Sequence, residues 1–478
     1  MRGRISFWPL LRFLLGRAPL IVLFRRFPPP ESLTNAVTDT SSIFCALAEG
    51  APPWGLKCTT GALEVPDPTS PLSPRWESTI VAETYLFPGD IMTSCDLQLF
   101  NLSETRGFLP HSDPLLSLPD TFSAWERVGQ HLPKYLAGLS LRKTVDALPA
   151  FKVDALKTDA EVHRAMVILS FIGHAYVFGE KPTVDRIPAV LARPWYEVAT
   201  KLGRPPVLSY ESYALDNWQR IDPNGPIAMG NIALAQNFLA GIDEEWFVIV
   251  HVDIEARAAQ ALKAIAAGRR AVESKDESAL VTALKEMACS LDGMYGALCR
   301  MVEHCDPFVY FHRVRPYIHG WKNNPALPNG LIYEGVQEYG GVGQFFRGET
   351  GAQSGIIPSL DGFLGVGHVD DPLKAYLMEM RLYMPPQHRK FLEATESAPS
   401  ARDFVNAHLA NTALEKVYNE CVAWVEKFRT KHLEYAVSYI ANQAQRDASN
   451  PSQIGTGGTP FVKYLTKHRD ETGQHRLP

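Results

Sequence analysis

Apolar residues recur at steps of three and four along much of the chain beyond residue 108, which is the spacing of one face of an α-helix. The longest such run covers residues 413–443 and predicts a long helix with His432 near its centre. The residues that share its apolar face are Val425, Phe428, His432, Tyr435 and Tyr439. A histidine on such a face is either a packed core residue or a ligand that points into a cavity.

The same spacing predicts a series of further helices. Their ranges are 125–141, 158–178, 194–202, 371–383 and 396–409, with two more helical patterns between 256 and 302. Another helix is predicted to begin at Asp243, which suits an N-cap and is followed by two acids. The chain shows no persuasive parallel-strand pattern, and its Gly-x-Gly pairs lack the remaining spacing of a dinucleotide fingerprint. The predicted fold class is therefore all-α.

Three places along this pattern suggest chemistry. Phe247, His251 and Glu255 share one helical face, so His251 either lies in a cavity wall or is half-exposed and pairs with Glu255. Arg315 either clamps a carboxylate through two parallel hydrogen bonds or pairs with a surface acid. The loop 455–459, GTGGT, offers hydroxyls and accessible backbone N–H groups. A helix-borne imidazole and such a loop would suit a metal centre with an anionic ligand bound beside it.

Composition and residue spacing limit which partners and which metal sites the chain is expected to have. The 478 residues carry a net charge of -5, and no basic patch with interleaved aromatic residues occurs, which argues against nucleic acid as a partner. The seven cysteines form no CxxC pair, and the 14 histidines show neither HExxH nor HxH spacing. A metal bound through histidine must then be held by one residue or by scattered ones, which fits a haem better than a bare zinc ion.

The N-terminal residues form separate segments. Residues 1–30 are a basic, apolar leader in which six arginines precede the first acid, Glu31. No charge-free stretch there is longer than residues 18–24, well short of the ~20 residues that a spanning helix needs, so no stable membrane span is expected. An organelle-targeting leader, an over-extended gene start and a weakly membrane-associating tail all stay open.

Domain boundaries follow from composition. Residues 31–107 are rich in proline, serine and threonine and are predicted to be a mostly irregular extension outside the core. Proline-rich turns predict that a small helical domain over 108–238 is followed by a larger helical domain over 239–478.

Six motifs in this order resemble those of the haem-dependent indoleamine 2,3-dioxygenases. They are RPYIHGWK (315–322), GLIYEG (330–335), GAQS (351–354), RLYMPPQHR (381–389), RTKHL (429–433) and GTGGT (455–459). The resemblance covers residues 109–467, about three quarters of the chain. It implies a two-domain helical fold in which the smaller domain caps a larger domain that holds haem b.

The resemblance also implies roles for individual residues. His432 corresponds to the proximal iron ligand, Arg315 to the residue that binds the substrate carboxylate, and Thr456 to a contact with the amino acid backbone. The positions that match the distal aromatic pocket are Tyr210, Phe247, Tyr310 and Phe311. Those that match the surroundings of the haem are Thr350 and Gly351 at its edge and the pair Asp361 and Arg429 beneath it.

Three positions depart from the family pattern. His251 stands where vertebrate members commonly have serine, and it is assigned as a catalytic residue that accepts a hydrogen bond from the indole N–H, hydrogen-bonds O2 or ligates iron. Tyr310 replaces a phenylalanine, and Glu349 replaces a glycine. These changes bear on substrate range more than on reaction class.

The predicted activity is the conversion of L-tryptophan, or a related indoleamine, and O2 into N-formylkynurenine, the first step of the kynurenine route towards NAD. A non-enzymatic O2-binding haem protein is one alternative, and a dioxygenase for another indole substrate is the other. Retention of Arg315 and Thr456 argues against the oxygen carrier, which needs no amino acid clamp. A monomer is expected, in the cytoplasm, or in mitochondria or at a membrane if residues 1–30 direct it there.

Overall fold

The computed structural model describes residues 96–446 and 461–478, and these are predominantly helical, which confirms the predicted all-α class. The helices up to residue 300 are α1 (Ser123–Gln130), α2 (Leu132–Ala137), α3 (Leu141–Asp146), α4 (Asp159–Phe178), α5 (Ala189–Lys201), α6 (Ile242–Ser274) and α7 (Glu277–Cys299). Those that follow are α8 (Pro307–Val309), α9 (Ile356–Leu364), α10 (Pro372–Arg381), α11 (Pro386–Ser397), α12 (Ala401–Ala407), α13 (Thr412–Ala436), α14 (Asn442–Arg446) and α15 (Phe461–Gly473).

Short strands pair in two places within the described residues. Strand β1 (Arg186–Ile187) lies parallel to β4 (Ile332–Tyr333), and β2 (Trp218–Arg220) lies antiparallel to β3 (Ile232–Leu234). None of the described helices is long and apolar enough to cross a membrane.

Three segments of the described chain wind as π-helical turns. They are Glu211–Leu215, Tyr310–Val314 and Val437–Ala441. A π turn is wider than an α-helical turn, and such turns are rare and frequent at functional sites. The last one interrupts the long helix predicted over 413–443, which is an α-helix to Ala436, a π turn and then α14.

The centre of the molecule is built from α6, α7 and α13. Helix α6 packs along α7, and α13 packs against α7 and α15. Helix α6 also meets α9 closely, because a Cβ built on Gly268 would lie 2.4 Å from Cζ of Phe363. This arrangement places His251 of α6 and His432 of α13 on walls of one cavity.

Several predicted helix boundaries are wrong, and prolines account for two of them. The run 396–409 is not one helix, because Pro399 follows the end of α11 and the residue before a proline is disfavoured in helical conformation. Helix α5 begins at Ala189, so Pro194 lies inside it rather than at its first position. The run 125–141 divides into α1, α2 and the start of α3.

Residues 96–107 belong to the core, contrary to the expectation for the extension. Leu97, Phe100 and Leu102 are buried, and the Phe100 ring lies 5.5 Å from that of Phe391 in α11. The leader and residues 31–95 lie outside the described residues. The predicted division into domains at residue 238 stays a prediction.

Candidate active site

A cavity of about 340 Å³, here called the central cavity, lies between α6, α13, α15 and segments of the chain between α6 and α13. Its walls are mostly aromatic and aliphatic side chains, including Met294, Leu298, Ile357, Phe428 and Tyr435. Polar side chains reach it at a few points. Concave, largely apolar sites with a few placed polar groups are typical of small-molecule and cofactor binding.

His432 brings an imidazole to the central cavity from α13. The residue is exposed because it faces the open space of the cavity, which it lines. Burial, with His251 and Arg429 nearby, lowers its pKa to about 4, so the ring is neutral at physiological pH. No described residue is seen to hydrogen-bond this ring. A neutral imidazole with a free lone pair is what a metal ligand requires.

His251 faces the same cavity from α6. Its Nδ1 lies 2.7 Å from the carbonyl oxygen of Phe247. Because a carbonyl only accepts hydrogen bonds, Nδ1 carries the ring proton and Nε2 keeps its lone pair. Burial lowers the pKa of His251, so the neutral form dominates. Of the two alternatives raised by the sequence, the structure therefore supports the cavity wall and not the pair with Glu255.

Aromatic side chains form the wall around His251. The Phe247 ring centroid lies 4.6 Å from that of His251 and 4.7 Å from that of Tyr310, and Tyr210 lies 5.9 Å from His251. Tyr210, Phe247 and Tyr310 all line the central cavity. Phe311 does not line it; this ring is fully buried, 5.3 Å from the guanidinium carbon of Arg315.

Arg315 is buried beside the cavity and does not line it. Only 1% of the residue is exposed, which excludes the alternative of a surface ion pair. Burial lowers its pKa to about 10, so the guanidinium remains charged at neutral pH. Its charge acts on Tyr310, which places it close to that cavity wall. Thr456, the other predicted substrate contact, lies outside the described residues.

Sequence reasoning missed a buried acid in this site. Glu255 lines the cavity, and its Oε1 accepts hydrogen bonds from the Tyr210 hydroxyl at 2.9 Å and from Ser354 at 2.8 Å. Within the described residues, its Oε2 is buried and has no hydrogen-bond partner. Burial raises the pKa of Glu255 to about 7. The four-residue step from His251 was the signal that could have identified it.

Glu349 is a second cavity acid. It is buried, and burial raises its pKa to about 8. The sequence marked it as a departure from the family pattern without assigning it to the site. Two of the predicted cofactor-binding residues, Thr350 and Gly351, follow it directly and also line the cavity.

Asp361 and Arg429 form a buried pair that joins α9 to α13. Two parallel hydrogen bonds of 3.0 and 2.6 Å connect them. Burial alone would raise the pKa of Asp361, but Arg429 and His368 outweigh it and hold the pKa at about 2. Arg429 also donates to Thr472 of α15. Because Arg429 lies three residues before His432, this pair fixes the part of α13 that presents the imidazole.

The donor set at His432 fits a haem. His432 and His251 each present a neutral imidazole to a roomy aromatic cavity, and in the described residues neither belongs to a group of three metal-ligating side chains. A zinc ion would need further protein ligands there, whereas haem iron needs only an axial one. Helical proteins often hold a metal cofactor between facing helices, bound by side chains that project inward. The fold and the site of this chain place it in that class.

Comparisons with known proteins identify the family within this class. The family model for indoleamine 2,3-dioxygenase matches residues 96–475. The chain is 38% identical over 390 residues to indoleamine 2,3-dioxygenase 1 of Rattus norvegicus, covering 79% of this chain and 94% of that protein. It is 33% identical to indoleamine 2,3-dioxygenase 2 of Homo sapiens over 79% and 94% of the two chains. It is 31% identical to the 6-hydroxytryptophan 2,3-dioxygenase fscD of Fusarium equiseti over 80% and 98%.

The chain belongs to the indoleamine 2,3-dioxygenase family. It is therefore an oxidoreductase of the tryptophan and indoleamine type, which incorporates both atoms of O2 into its product.

Proposed function

We propose that this protein cleaves the C2–C3 bond of the indole ring of L-tryptophan with O2 to give N-formylkynurenine, using haem b held by His432. The observation that carries the proposal is the neutral imidazole of His432, without a hydrogen-bond partner among the described residues, on the wall of an aromatic cavity in a chain of this family. Both oxygen atoms enter the product, so no reductant is consumed in the reaction. We further propose that the protein acts as a monomer in the cytoplasm.

Haem, when bound, supplies the iron chemistry that activates O2. The chain supplies binding and orientation. Asp361 and Arg429 hold the helix that carries His432, and Thr350 and Gly351 form the adjoining edge of the cavity. Aromatic walls exclude water from the reacting groups.

Two polar groups orient the substrate in this proposal. Nε2 of His251 can only accept a hydrogen bond, which suits the indole N–H of the substrate. The buried charge of Arg315, beside Tyr310, attracts the substrate carboxylate, and Thr456 contacts the amino acid backbone. Holding reactants in register is worth roughly 7–11 kcal/mol of barrier at best.

A different indole substrate is the second candidate. It is favoured by two buried acids in the cavity, Glu255 and Glu349, and by the hydroxyl of Tyr310. One relative is named for 6-hydroxytryptophan, which shows that members of this family differ in the indole that they cleave.

Mass analysis of the product tests the reaction. In this experiment the haem-loaded full chain is reduced and incubated with L-tryptophan under isotopically labelled O2, and the mass of the product is measured. N-formylkynurenine with two labelled oxygens is the expected product. Unchanged tryptophan, with turnover of a hydroxylated indole, would replace the first candidate by the second.

His432→Ala tests the cofactor assignment. The variant is expected to lose stoichiometric haem because α13 then offers no imidazole to the cavity. Haem content and the visible spectrum measure this, and His408→Ala, directly after α12 and outside the cavity, is the control. A normal haem spectrum in the His432 variant would place the ligand elsewhere.

A further inference from the structure

Outside the central cavity, three metal-ligating side chains meet where α4 begins. His163 of α4 approaches Glu211 and Asp216, which lie at the start of a π turn and directly after it. One potential ligand atom from each lies within 4.8 Å of the others. The Nδ1 of His163 is 2.7 Å from Oδ2 of Asp216. We call these three residues the His163 cluster. None of them lines the central cavity.

Burial sets this cluster apart from ordinary surface acids. Glu211 and Asp216 are each 5% exposed. The Oε2 atom of Glu211 is buried and has no hydrogen-bond partner among the described residues. A buried carboxyl oxygen without a partner is unfavourable, because it has lost its hydration and gained nothing in exchange. The atom therefore indicates a missing partner at this place.

The nearby cation does not supply that partner. Arg204 is buried and donates from Nη1 to the Ser209 hydroxyl at 3.1 Å. Its Nη2 is buried and, like Oε2 of Glu211, has no hydrogen-bond partner among the described residues, so no hydrogen bond joins the two side chains through these atoms.

The donor types indicate which ligand would fit. One imidazole nitrogen and two carboxylates are a donor set for a divalent first-row transition ion, with water in the remaining positions. The charge of two carboxylates balances that of the ion. Ligand atoms around a tetrahedral zinc ion lie about 3.3 Å apart, as bond lengths of about 2.0–2.1 Å require. To reach this spacing the His163–Asp216 contact of 2.7 Å opens slightly, and the remaining separations, which lie within 4.8 Å, adjust by side-chain rotation. About a third of the His163 side chain is exposed, which gives the ion a path from solvent.

We propose that His163, Glu211 and Asp216 bind a divalent transition-metal ion, for which Zn²⁺ is the probe. The ion would join α4 to the π turn that follows Tyr210, a residue of the central cavity wall. It would therefore stabilise the cavity wall at Tyr210 from outside the cavity. The proposal does not depend on haem or on the identity of the indole substrate.

Zinc binding by the haem-loaded full chain tests the proposal. Equilibrium dialysis should find one zinc per chain in addition to haem iron. Absorption at the zinc edge should show one nitrogen and several oxygen neighbours at about 2.0–2.2 Å. His163→Gln should weaken binding at least tenfold. Because His163 lies at the beginning of a helix and is partly exposed, this variant should keep its fold and its haem. Asp216→Asn should weaken binding in the same way.

His368→Gln is the matched control. His368, His468 and Glu471 form a second group of metal-ligating side chains in the described residues, and of these His468 lines the central cavity. This variant should bind zinc as the wild type does. The proposal is overturned if zinc is lost in His368→Gln and kept in His163→Gln. It is equally overturned if the wild type binds no zinc at millimolar concentration or if all variants bind alike.

Discussion

At the scale of single residues, the candidate site combines groups that the sequence identifies by type with groups that only the fold brings together. His432 and Arg315 stand in distinctive motifs, and their positions follow from these. The hydrogen bonds of Glu255 could not be predicted, because its partners, Tyr210 and Ser354, are distant in the sequence. The tautomer of His251 likewise depends on a carbonyl that it meets only in the folded helix.

Arg315→Ala should bind haem and lose turnover of tryptophan. The substrate carboxylate would enter the cavity without its cationic partner, and loss of one member of a buried charge pair costs about 2–5 kcal/mol. The expected result is a fall in kcat/KM of at least about 30-fold, measured by steady-state kinetics at equal haem content. Arg313→Ala removes an exposed arginine two residues away and should leave kcat/KM unchanged. Equal activity in both variants would contradict the proposal that Arg315 binds the substrate carboxylate.

Glu255→Gln should change how stability depends on pH. Burial raises the pKa of Glu255 from 4.5 to about 7, so the folded protein binds this proton more tightly than the unfolded chain does. The free energy of unfolding therefore falls as pH rises from about 4.5 to about 7. The variant lacks this contribution, which is at most about 1.4 kcal/mol per pH unit.

Urea denaturation at several pH values measures the difference between wild type and variant. Glu393→Gln changes an exposed glutamate and should run parallel to the wild type across this range. Parallel curves for Glu255→Gln as well would show that Glu255 is ionised in the folded protein at acidic pH.

At the scale of elements, apolar spacing predicts helices well where they are long and amphipathic. Helix α4 matches its predicted range to within a residue. Boundaries were missed where a local preference overrides the pattern, as at Pro399 between α11 and α12. The π turn after Ala436 was also missed, because its extra width depends on tertiary packing and leaves no signal in apolar spacing.

The crossing of α6 and α9 depends on Gly268. A methyl group at this position would overlap the Phe363 ring, and overpacking of a core costs about 1–3 kcal/mol. Gly268→Ala should therefore lower the free energy of unfolding, although alanine favours helix. Gly296→Ala in α7 is the matched control, because no atom lies within 4 Å of its added Cβ. Denaturant unfolding should show a gain of up to about 1 kcal/mol there. A similar gain in both variants would contradict the close crossing.

At the scale of the whole molecule, the folded unit begins earlier than composition suggests. Residues 31–107 are rich in proline, and this composition predicts an irregular extension. Near the end of this segment, however, Leu97, Phe100 and Leu102 are buried. The family match also begins at residue 96.

Two truncations locate this beginning. A chain that starts at residue 96 keeps all three buried side chains and is the reference. A chain that starts at residue 105 loses the three buried side chains, each worth about 1.5–3 kcal/mol, and should be less stable by about 4.5 kcal/mol or more. Equal stability of the two truncated chains would show that residues 96–104 contribute nothing to the core.

The π turn Tyr310–Val314 has a consequence for how this chain is compared with its relatives. One residue added to or removed from a helix rotates everything after it by about 100° around the axis. Arg315 follows this turn directly, so its direction depends on the length of the turn as much as on its own identity. A relative shorter by one residue here would keep the arginine in its sequence and aim it at a different neighbour. When relatives are aligned, an insertion or deletion within this turn therefore says more about where the arginine side chain points than the presence of the arginine does.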